Sequence, residues 1–553
     1  MSAIYQCETW KHRWWEGLPG GFWAKVNGKD WHGEQGVHIP DGAKYKVILY
    51  FKHARVAEAQ FDVGSKTKVC LFIGRIRETH DGFEPGTFVI AWGTPPNCAD
   101  VNALRELWKP RPNWVGDLYK HQPIVALRNV ALPGTHDSAT DEMTERSPYG
   151  IDNLWLEIYE KLSPPEQLII SAILRKRIFQ MSLAQNHPVY IQLMNGIRYI
   201  DLRVENHSDW MTCHGMLADK LRDVVDQIGR FATEHPKEAL LIHFQSLKGF
   251  NADQTQALVD YLLTHPTFGT QIASKKDFRE DVTLDQLWEK GKNIICLFDT
   301  DEKVDLKSLW PADTYIESPW ANTRHSEKVK SFLKENLPKR KDKGFYVSQA
   351  IVTPDATIFV FNLPMTLQKM ATDWMNPELP GLVEKLDHTA RDHKKSLNVV
   401  IADFYQSNGS FISTVIDVNR SNLVASGPVE IKNGDGHYLG FKNAHDPEVW
   451  GNASRAGHYE KLELICNGDG TYSLKNEDGN YLGFKAQHSP EVWGNATRIG
   501  GYEVFELIAN NDGSHAVRNK DGNYLGFKKD HDPQLWGGAE RVGGYERLII
   551  STR

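Results

Sequence analysis

Hydrophobic and polar positions change their rhythm three times along this chain. Between about residues 121 and 420, short apolar runs alternate with stretches of helical period. The runs are Ile124–Leu132, Ile197–Val204, Ala239–Phe244, Asn293–Phe298, Thr314–Glu317, Gly344–Ala350 and Leu397–Phe404. Ala218–Thr233 and Ala252–Leu263 carry the helical pattern in two of the gaps. Such alternation predicts parallel strands, for which a (β/α) TIM-like barrel is the natural closure. Barrels of this kind place their chemistry on loops at the carboxyl ends of the strands.

The carboxyl-terminal stretch, 428–553, repeats itself. Tyr438-Leu439-Gly440-Phe441-Lys442 recurs at Tyr481–Lys485 and at Tyr524–Lys528, a period of 43 residues. Trp450, Trp493 and Trp536 follow with the same period, as do Tyr459, Tyr502 and Tyr545. Fixed-period similarity marks a repeat architecture. Asp435-Gly436, Asp469-Gly470, Asp478-Gly479 and Asp521-Gly522 read as turns between short strands. Three such units resemble a β-trefoil of the fascin-like or ricin-B-like kind, and the Gly-x-Tyr-Leu-Gly phrasing sits nearer the fascin-like type.

The first stretch, 1–113, is rich in tryptophan: Trp10, Trp14, Trp15, Trp23 and Trp31. Lys44–Phe51 and Lys68–Ile73 read as strands; Asp41-Gly42 and Asp81-Gly82 read as turns. Pro95-Pro96 and Pro110-Arg111-Pro112 mark a linker. A small β-sandwich is predicted, its tryptophans filling the core in preference to forming an interfacial patch.

Composition narrows the functional classes. At 553 residues the chain implies several domains, and 41% hydrophobic with 24% charged residues is ordinary for a globular protein. A net charge of −7 gives no reason to expect a nucleic-acid partner. No apolar run approaches the roughly 18 residues that span a bilayer. The amino terminus lacks the pattern of a signal peptide. Cys7, Cys70, Cys98, Cys213, Cys296 and Cys466 are scattered without a CxxC pair, as for reduced thiols. A cytoplasmic protein, or one exported without a cleaved signal, is expected, with peripheral membrane association open to it.

Candidate chemistry gathers at three expected strand ends. Ala131-Leu132-Pro133-Gly134-Thr135-His136-Asp137-Ser138 is followed by Asp201-Leu202-Arg203 and by Cys213-His214-Gly215. Two imidazoles can divide acid and base work, and a guanidinium can hold charge on phosphoryl oxygens between them. The pattern suits cleavage of a phosphodiester.

Together with Gly196–Arg203, Pro236–Ile242, Val400–Phe404, Ser318-Pro319-Trp320-Ala321-Asn322 and Val352-Thr353-Pro354, these motifs resemble the X domain of phosphatidylinositol-specific phospholipase C. The resemblance runs from about Pro123 to Ser407. It implies that His136 is the general base on the inositol 2-hydroxyl and that Asp403 orients it. It likewise implies that His214 is the general acid on the departing diacylglycerol oxygen, with Asp137 keeping it charged. Asp201, Gln245 and Tyr405 become candidate substrate-binding residues. Calcium-dependent members place a carboxylate at the position of Arg203, whereas metal-independent bacterial members place an arginine. Calcium wants about 6–8 oxygen ligands, and an arginine in its shell would repel it. Catalysis without metal or other cofactor is therefore expected, on an inositol phospholipid in a membrane surface.

Other features keep two readings. Glu166–Met181, inside the stretch Asp141–Asn195, reads as one helix, a lid on the barrel in preference to a membrane contact. His243 reads as a core histidine, and His207 as a loop residue. The repeated His445, His488 and His531 segments suit either turns or a multivalent glycan or cytoskeletal ligand, and zinc lacks partners there. Rival functions are a binding protein acting through the trefoil and a glycerophosphodiester phosphodiesterase. The latter's His-Arg-Gly motif is not evident.

Overall fold

The computed structural model describes residues 4–5, 15–31, 36–38, 44–62, 70–78, 83–93, 103–120, 124–151, 153–171, 173–341, 343–393, 395–421, 423, 427–467, 471–510 and 514–552. Trp10, Trp14, Cys7, Cys98, Pro95-Pro96, and the expected turns at Asp41-Gly42, Asp81-Gly82 and Asp469-Gly470 lie outside the described residues, as do the side chains of Trp15, Cys70 and Cys466. Cys213 and Cys296 are buried free thiols.

Eight parallel strands form the central sheet: β1 Leu132–Thr135, β2 Tyr199–Asn206, β3 Leu240–Lys248, β4 Ile294–Phe298, β5 Trp310–Pro311, β6 Ile316–Glu317, β7 Phe345–Gln349 and β8 Val399–Ala402. Their hydrogen-bonded order is β5-β4-β3-β2-β1-β8-β7-β6, with every pairing parallel. This is the cyclic order of a TIM-like barrel, with no ladder joining β5 to β6 among the described residues. Helices fill the crossovers. In Leu221–Glu234, Leu221, Val224, Val225, Ile228, Phe231 and Ala232 recur on one face, and all are buried against the sheet.

The strand positions depart from the sequence reading in a few places. Ile124–Leu132 is not a strand through its length: Leu127–Asn129 forms a 3-10 turn and β1 begins at Leu132. Thr314–Glu317 is partly the short helix Ala312–Tyr315, and β5 was not anticipated. Ala218 to Lys220 belongs to a hairpin strand, so the following helix begins at Leu221. Glu166–Met181 is two helices, Pro164–Ser171 and Leu174–Ser182.

Two antiparallel sheets precede the barrel. One joins Lys29–Trp31, Phe22–Val26, Lys44–Phe51 and Ala54–Asp62; the other includes Cys70–Ile76, Phe88–Gly93 and Ala103–Trp108. They meet face to face: Phe22 packs on Phe88 at 5.0 Å and Phe61 on Trp92 at 4.6 Å between ring centroids. Trp31 is in the core, while Trp23 is half-buried and stacked on Tyr50. The sandwich and barrel share a continuous apolar core.

The carboxyl-terminal region is a β-trefoil. Gly427–Lys432, Leu462–Cys466, Tyr472–Lys475, Phe505–Ala509, His515–Asn519 and Ile549–Thr552 form a closed ring, completed by the bridge His515–Leu548. Three hairpins, beginning at Tyr438, Tyr481 and Tyr524, complete the fold. Leu439, Phe441 and their equivalents fill a separate core, while Tyr459, Tyr502 and Tyr545 are half-buried and not core. Gly440, Gly483 and Gly526 lie under tryptophan rings, where a Cβ would stand 2.6, 2.4 and 2.5 Å from the nearest ring atoms. That close approach explains the repeated Tyr-Leu-Gly-Phe.

One buried ion pair ties the linker to the barrel. Arg198 Nε donates to Glu238 Oε2 at 2.6 Å, both side chains being fully buried, and Arg198 also donates to the carbonyls of Arg111 and Pro112. Glu238 in turn accepts from the amides of Val115 and Gly116. Removing one partner strands a buried charge. Glu238→Ala is expected to destabilise the barrel by about 3–5 kcal/mol, read as a lower urea midpoint for its unfolding transition.

Candidate active site

The site is built on the turn that leaves β1. Leu132–Thr135 is wholly buried, and the chain then bends sharply, with Asp137 at φ 41°. Aspartate tolerates this left-handed conformation better than bulkier residues do. The bend is held by buried side chains: Gln185 Nε2 donates to the carbonyls of His136 and Ala402, and Gln192 Nε2 to that of Ser138. Ser138 Oγ accepts from the Asp201 amide at 2.9 Å, and Asp201 Oδ2 accepts from the Asp137 amide at 3.1 Å.

Side chains from separate elements converge on this turn. His136 Nδ1–H donates to Asp403 Oδ1 at 2.9 Å, Asp403 lying just past β8. His136 Nε2 is 3.2 Å from Asp137 Oδ2, and His214 Nε2 is also 3.2 Å from that oxygen. His214 follows the hairpin strand Trp210–Cys213, which pairs with the end of β2, and its Nδ1–H donates to the Ser182 carbonyl at 2.7 Å. The two imidazoles stand 5.7 Å apart, nearly edge to face. Arg203, on β2, places Nε 2.9 Å from Asp137 Oδ1 and 3.1 Å from Gln245 Oε1, and Nη2 3.1 Å from His136 Nε2.

His136, Arg203, His214, Gln245 and Asp403 all border one cavity of about 460 Å³. Asp137 lies just beneath, 3% exposed. Two candidates fall elsewhere. Asp201 does not border the cavity; it is buried under the turn and braces the Asp137 amide, so it supports the site from below. Tyr405 is not a cavity residue either. Its hydroxyl donates to His187 Nδ1 at 2.9 Å and accepts from Asn195 Nδ2 at 2.8 Å, inside the core. His243 is a core histidine bonded to the Tyr199 hydroxyl, and burial pushes its pKa down to about 3.

Sequence reasoning did not assign Glu205, Lys248, Trp320, Gln349 or Thr353, which also border the cavity. Glu205 is two residues after Arg203 on β2, so strand alternation was an available signal for it, whereas Lys248, three after Gln245 on β3, had only proximity. Trp320 and Thr353 lie within motifs already noted, and Trp320 Nε1 donates to Thr353 Oγ1 at 2.9 Å.

Electrostatics divides the two histidines. Burial lowers the pKa of His136, but the carboxylates of Asp137 and Asp403 outweigh it and raise the value to about 9. For His214 burial dominates; Asp137 offsets only part of it, and Arg203 and His136 add to the depression. Burial opposes ionisation of Asp137, yet Arg203 and both imidazoles hold its pKa below the usual carboxylate range. Asp201 is raised to about 6 by burial and by the charge on Asp137. These shifts favour the proton on His136 over His214.

His136, Asp137 and Asp201 bring ligand atoms within 4.8 Å of one another, a spacing open to a cation. Arg203 already meets Asp137 and His136 there, and three donors fall well short of a calcium shell. The residues fit an arginine-neutralised anion site better than a metal centre.

No protein-family model matches the chain. PI-PLC X domain-containing protein 3 from Homo sapiens is 28% identical to it over 318 residues, covering 56% of this chain and 93% of that protein. PI-PLC X domain-containing protein 2 from Homo sapiens is 31% identical over 248 residues, covering 44% and 77% respectively. Among solved structures, the phosphatidylinositol-specific phospholipase C from Listeria monocytogenes is 18% identical, covering 56% of this chain and 99% of its own, with a TM-score of 0.38.

The His136 titration tests the electrostatic arrangement directly. Replacing Asp403 by Asn removes one of the carboxylates that stabilise imidazolium, so the pKa should fall from about 9 toward the ordinary histidine value or lower. Imidazole nitrogen shifts in an NMR pH titration would report it; an unmoved midpoint would show that Asp403 does not govern this ring.

Proposed function

Because this chain belongs to the PI-PLC X domain-containing family, we propose that its barrel, about residues 121–420, is a metal-independent phosphodiesterase acting on phosphatidylinositol or a related inositol phospholipid. The β-sandwich (1–113) and the trefoil (428–553) are its flanking domains. One observation carries the reading: two oriented imidazoles share the Asp137 carboxylate, and Arg203 stands against the same group at the floor of one cavity.

The chemistry follows from those positions. The inositol 2-hydroxyl neighbours the phosphate, so attack is intramolecular and proximity is built into the substrate. His136 Nε2 takes the hydroxyl proton as the O2–P bond forms. Arg203 meets the charge that gathers on the phosphoryl oxygens. His214 gives its proton to the glycerol oxygen as that P–O bond breaks. The products are a cyclic inositol phosphate and diacylglycerol. Asp403 holds the ring of His136, the Ser182 carbonyl holds that of His214, and Asp137 stabilises whichever imidazole is charged.

The reactive form needs the proton on His214 and not on His136, the reverse of the preference set by these pKa shifts. An anionic phosphodiester beside His214 favours that redistribution. The kcat/KM profile is expected to be bell-shaped. Its acidic limb is set by His214 below the ordinary histidine value, and its alkaline limb by His136 near 9.

Hydrolysis of phosphatidylinositol vesicles is the direct test. His136→Ala and His214→Ala should each lose about 10²–10⁴-fold in rate. A phosphoinositol substrate with an activated aryl leaving group should restore much of the loss in His214→Ala and little in His136→Ala, because only the former lacks an acid for the leaving oxygen. Exhaustive chelation should leave the wild-type rate unchanged. Full activity in both variants, or a strict calcium requirement, would refute the mechanism.

A further inference from the structure

His214 stands at the tip of a hairpin, and much of what holds it there comes from the insertion between β1 and β2. The stretch 148–151 runs beside the turn. Leu217 N–H donates to the Pro148 carbonyl at 2.9 Å, Tyr149 forms an antiparallel bridge with Met216, and Gly150 N–H donates to the Gly215 carbonyl at 3.0 Å. Ile151 N–H donates to Glu205 Oε2 at 2.8 Å, which ties the same stretch to β2. Gly215 needs its lack of a side chain: its φ is 70°, and a Cβ would stand 2.9 Å from Ser182 Oγ. Gly150, His214 and Gly215 all border the cavity.

Two helices of the insertion complete the hold. Asn153 is buried, and its side chain serves two purposes. Oδ1 caps helix Leu154–Glu160 by accepting from the amides of Trp155 and Leu156 at 3.0 and 3.1 Å, while Nδ2 donates to the Gly215 carbonyl. Ser182 ends helix Leu174–Ser182, where the last carbonyls lack partners within the helix and carry its partial negative charge. The Ser182 carbonyl accepts from His214 Nδ1–H at 2.7 Å. A bond fixed at Nδ1 leaves Nε2, 3.2 Å from Asp137, as the nitrogen that gains and gives the proton. That helix is itself anchored, because the buried Arg177 donates to the carbonyls of Ile358, Phe359, Asn362, Leu363 and Met365 in the segment after β7.

We propose that the insertion between β1 and β2 is the positioning element of the proton donor: Asn153 and the Ser182 carbonyl fix the turn and the ring of His214 so that its transferable proton is carried on Nε2, toward the leaving oxygen. The donor role rests on the phosphodiesterase reading, whereas the hold on the ring stands on the hydrogen bonds alone. Placement of Nε2 matters most when the departing oxygen is a poor leaving group, as the glycerol oxygen of diacylglycerol is. An aryl oxygen that leaves as a stable anion needs no proton at that moment. Asn153 is therefore a positioning residue, and its loss belongs in kcat more than in KM.

The full-length protein is to be compared as wild type, Asn153→Ser and Asn153→Asp. Both replacements remain good helix caps, and both remove the amide donor to Gly215; the serine adds no charge. On a monomeric short-chain phosphatidylinositol, kcat should fall about 10- to 100-fold with KM little changed. On an aryl phosphoinositol the deficit should shrink to about twofold. Imidazole nitrogen shifts should show the neutral His214 ring as the Nδ1–H tautomer in wild type and as a mixture with the Nε2–H tautomer in both variants. Equal losses on the two substrates would overturn the proposal by reducing Asn153 to general support of the fold. An unchanged kcat, or an unchanged His214 tautomer, would overturn it as well. Wild-type protein that turns over neither substrate while the tautomer shifts as expected would defeat the phosphodiesterase reading and leave the hold on the ring standing, because the NMR readout needs no turnover.

Discussion

A single buried carboxylate organises this molecule's chemistry. Asp137 is almost wholly removed from water, and an unpaired charge there would cost several kcal/mol. It is tolerated because Arg203 meets one oxygen and His136 and His214 both approach the other. That demand fixes where three separate pieces of chain must end: the turn after β1, the body of β2, and the hairpin that follows β2. The parallel sheet supplies the convergence, since β1 and β2 pair at Gly134–Tyr199 and β1 and β8 at Thr135–Ala402.

The same carboxylate explains how identical side chains acquire different proton affinities. His136 has a second acid, Asp403, and becomes the more basic ring; His214 has only the Ser182 carbonyl behind it and stays less basic. Pushing two titrating groups apart in this way is how a fold separates acid from base near neutral pH. Gln245 and Asp137 meanwhile hold the Nε edge of Arg203, so the guanidinium is pre-positioned before any anion arrives.

Much of this was legible in the sequence because strand ends and short motifs are local. His136, Arg203, His214 and Asp403 could be placed at carboxyl ends of apolar runs, and the 43-residue period announced the trefoil. What escaped depended on long-range geometry. Ile124–Ala131 has an apolar composition suited to a strand, but its backbone bonds elsewhere: Leu127 donates to the Val282 carbonyl and the segment turns. β5 is two residues long and has no periodicity to read. Tyr405 follows a strand end as a site residue would, yet the left-handed backbone of Phe404 (φ 45°) turns the chain away from the cavity. Asp201 lies two residues before Arg203 on β2, and alternation alone does not say that it reaches the turn instead of the substrate.

The amino-terminal sandwich also bears on the site, through the helix Val189–Asn195. Phe51 stacks on Tyr190 at 5.3 Å between ring centroids, Trp108 Nε1 donates to Asn195 Oδ1 at 2.6 Å, and His187 Nε2–H donates to the Arg55 carbonyl at 3.1 Å. That helix carries Gln192, whose amide bonds the Ser138 carbonyl and whose oxygen accepts from Thr135 Oγ1 at 2.7 Å. The sandwich therefore braces the element that shapes the turn holding His136 and Asp137. Because packed interiors transmit displacement instead of absorbing it, a sheet more than one layer away helps to set the spacing of the two imidazoles. The described strands of the sandwich are for this reason part of the support on which the site's geometry rests.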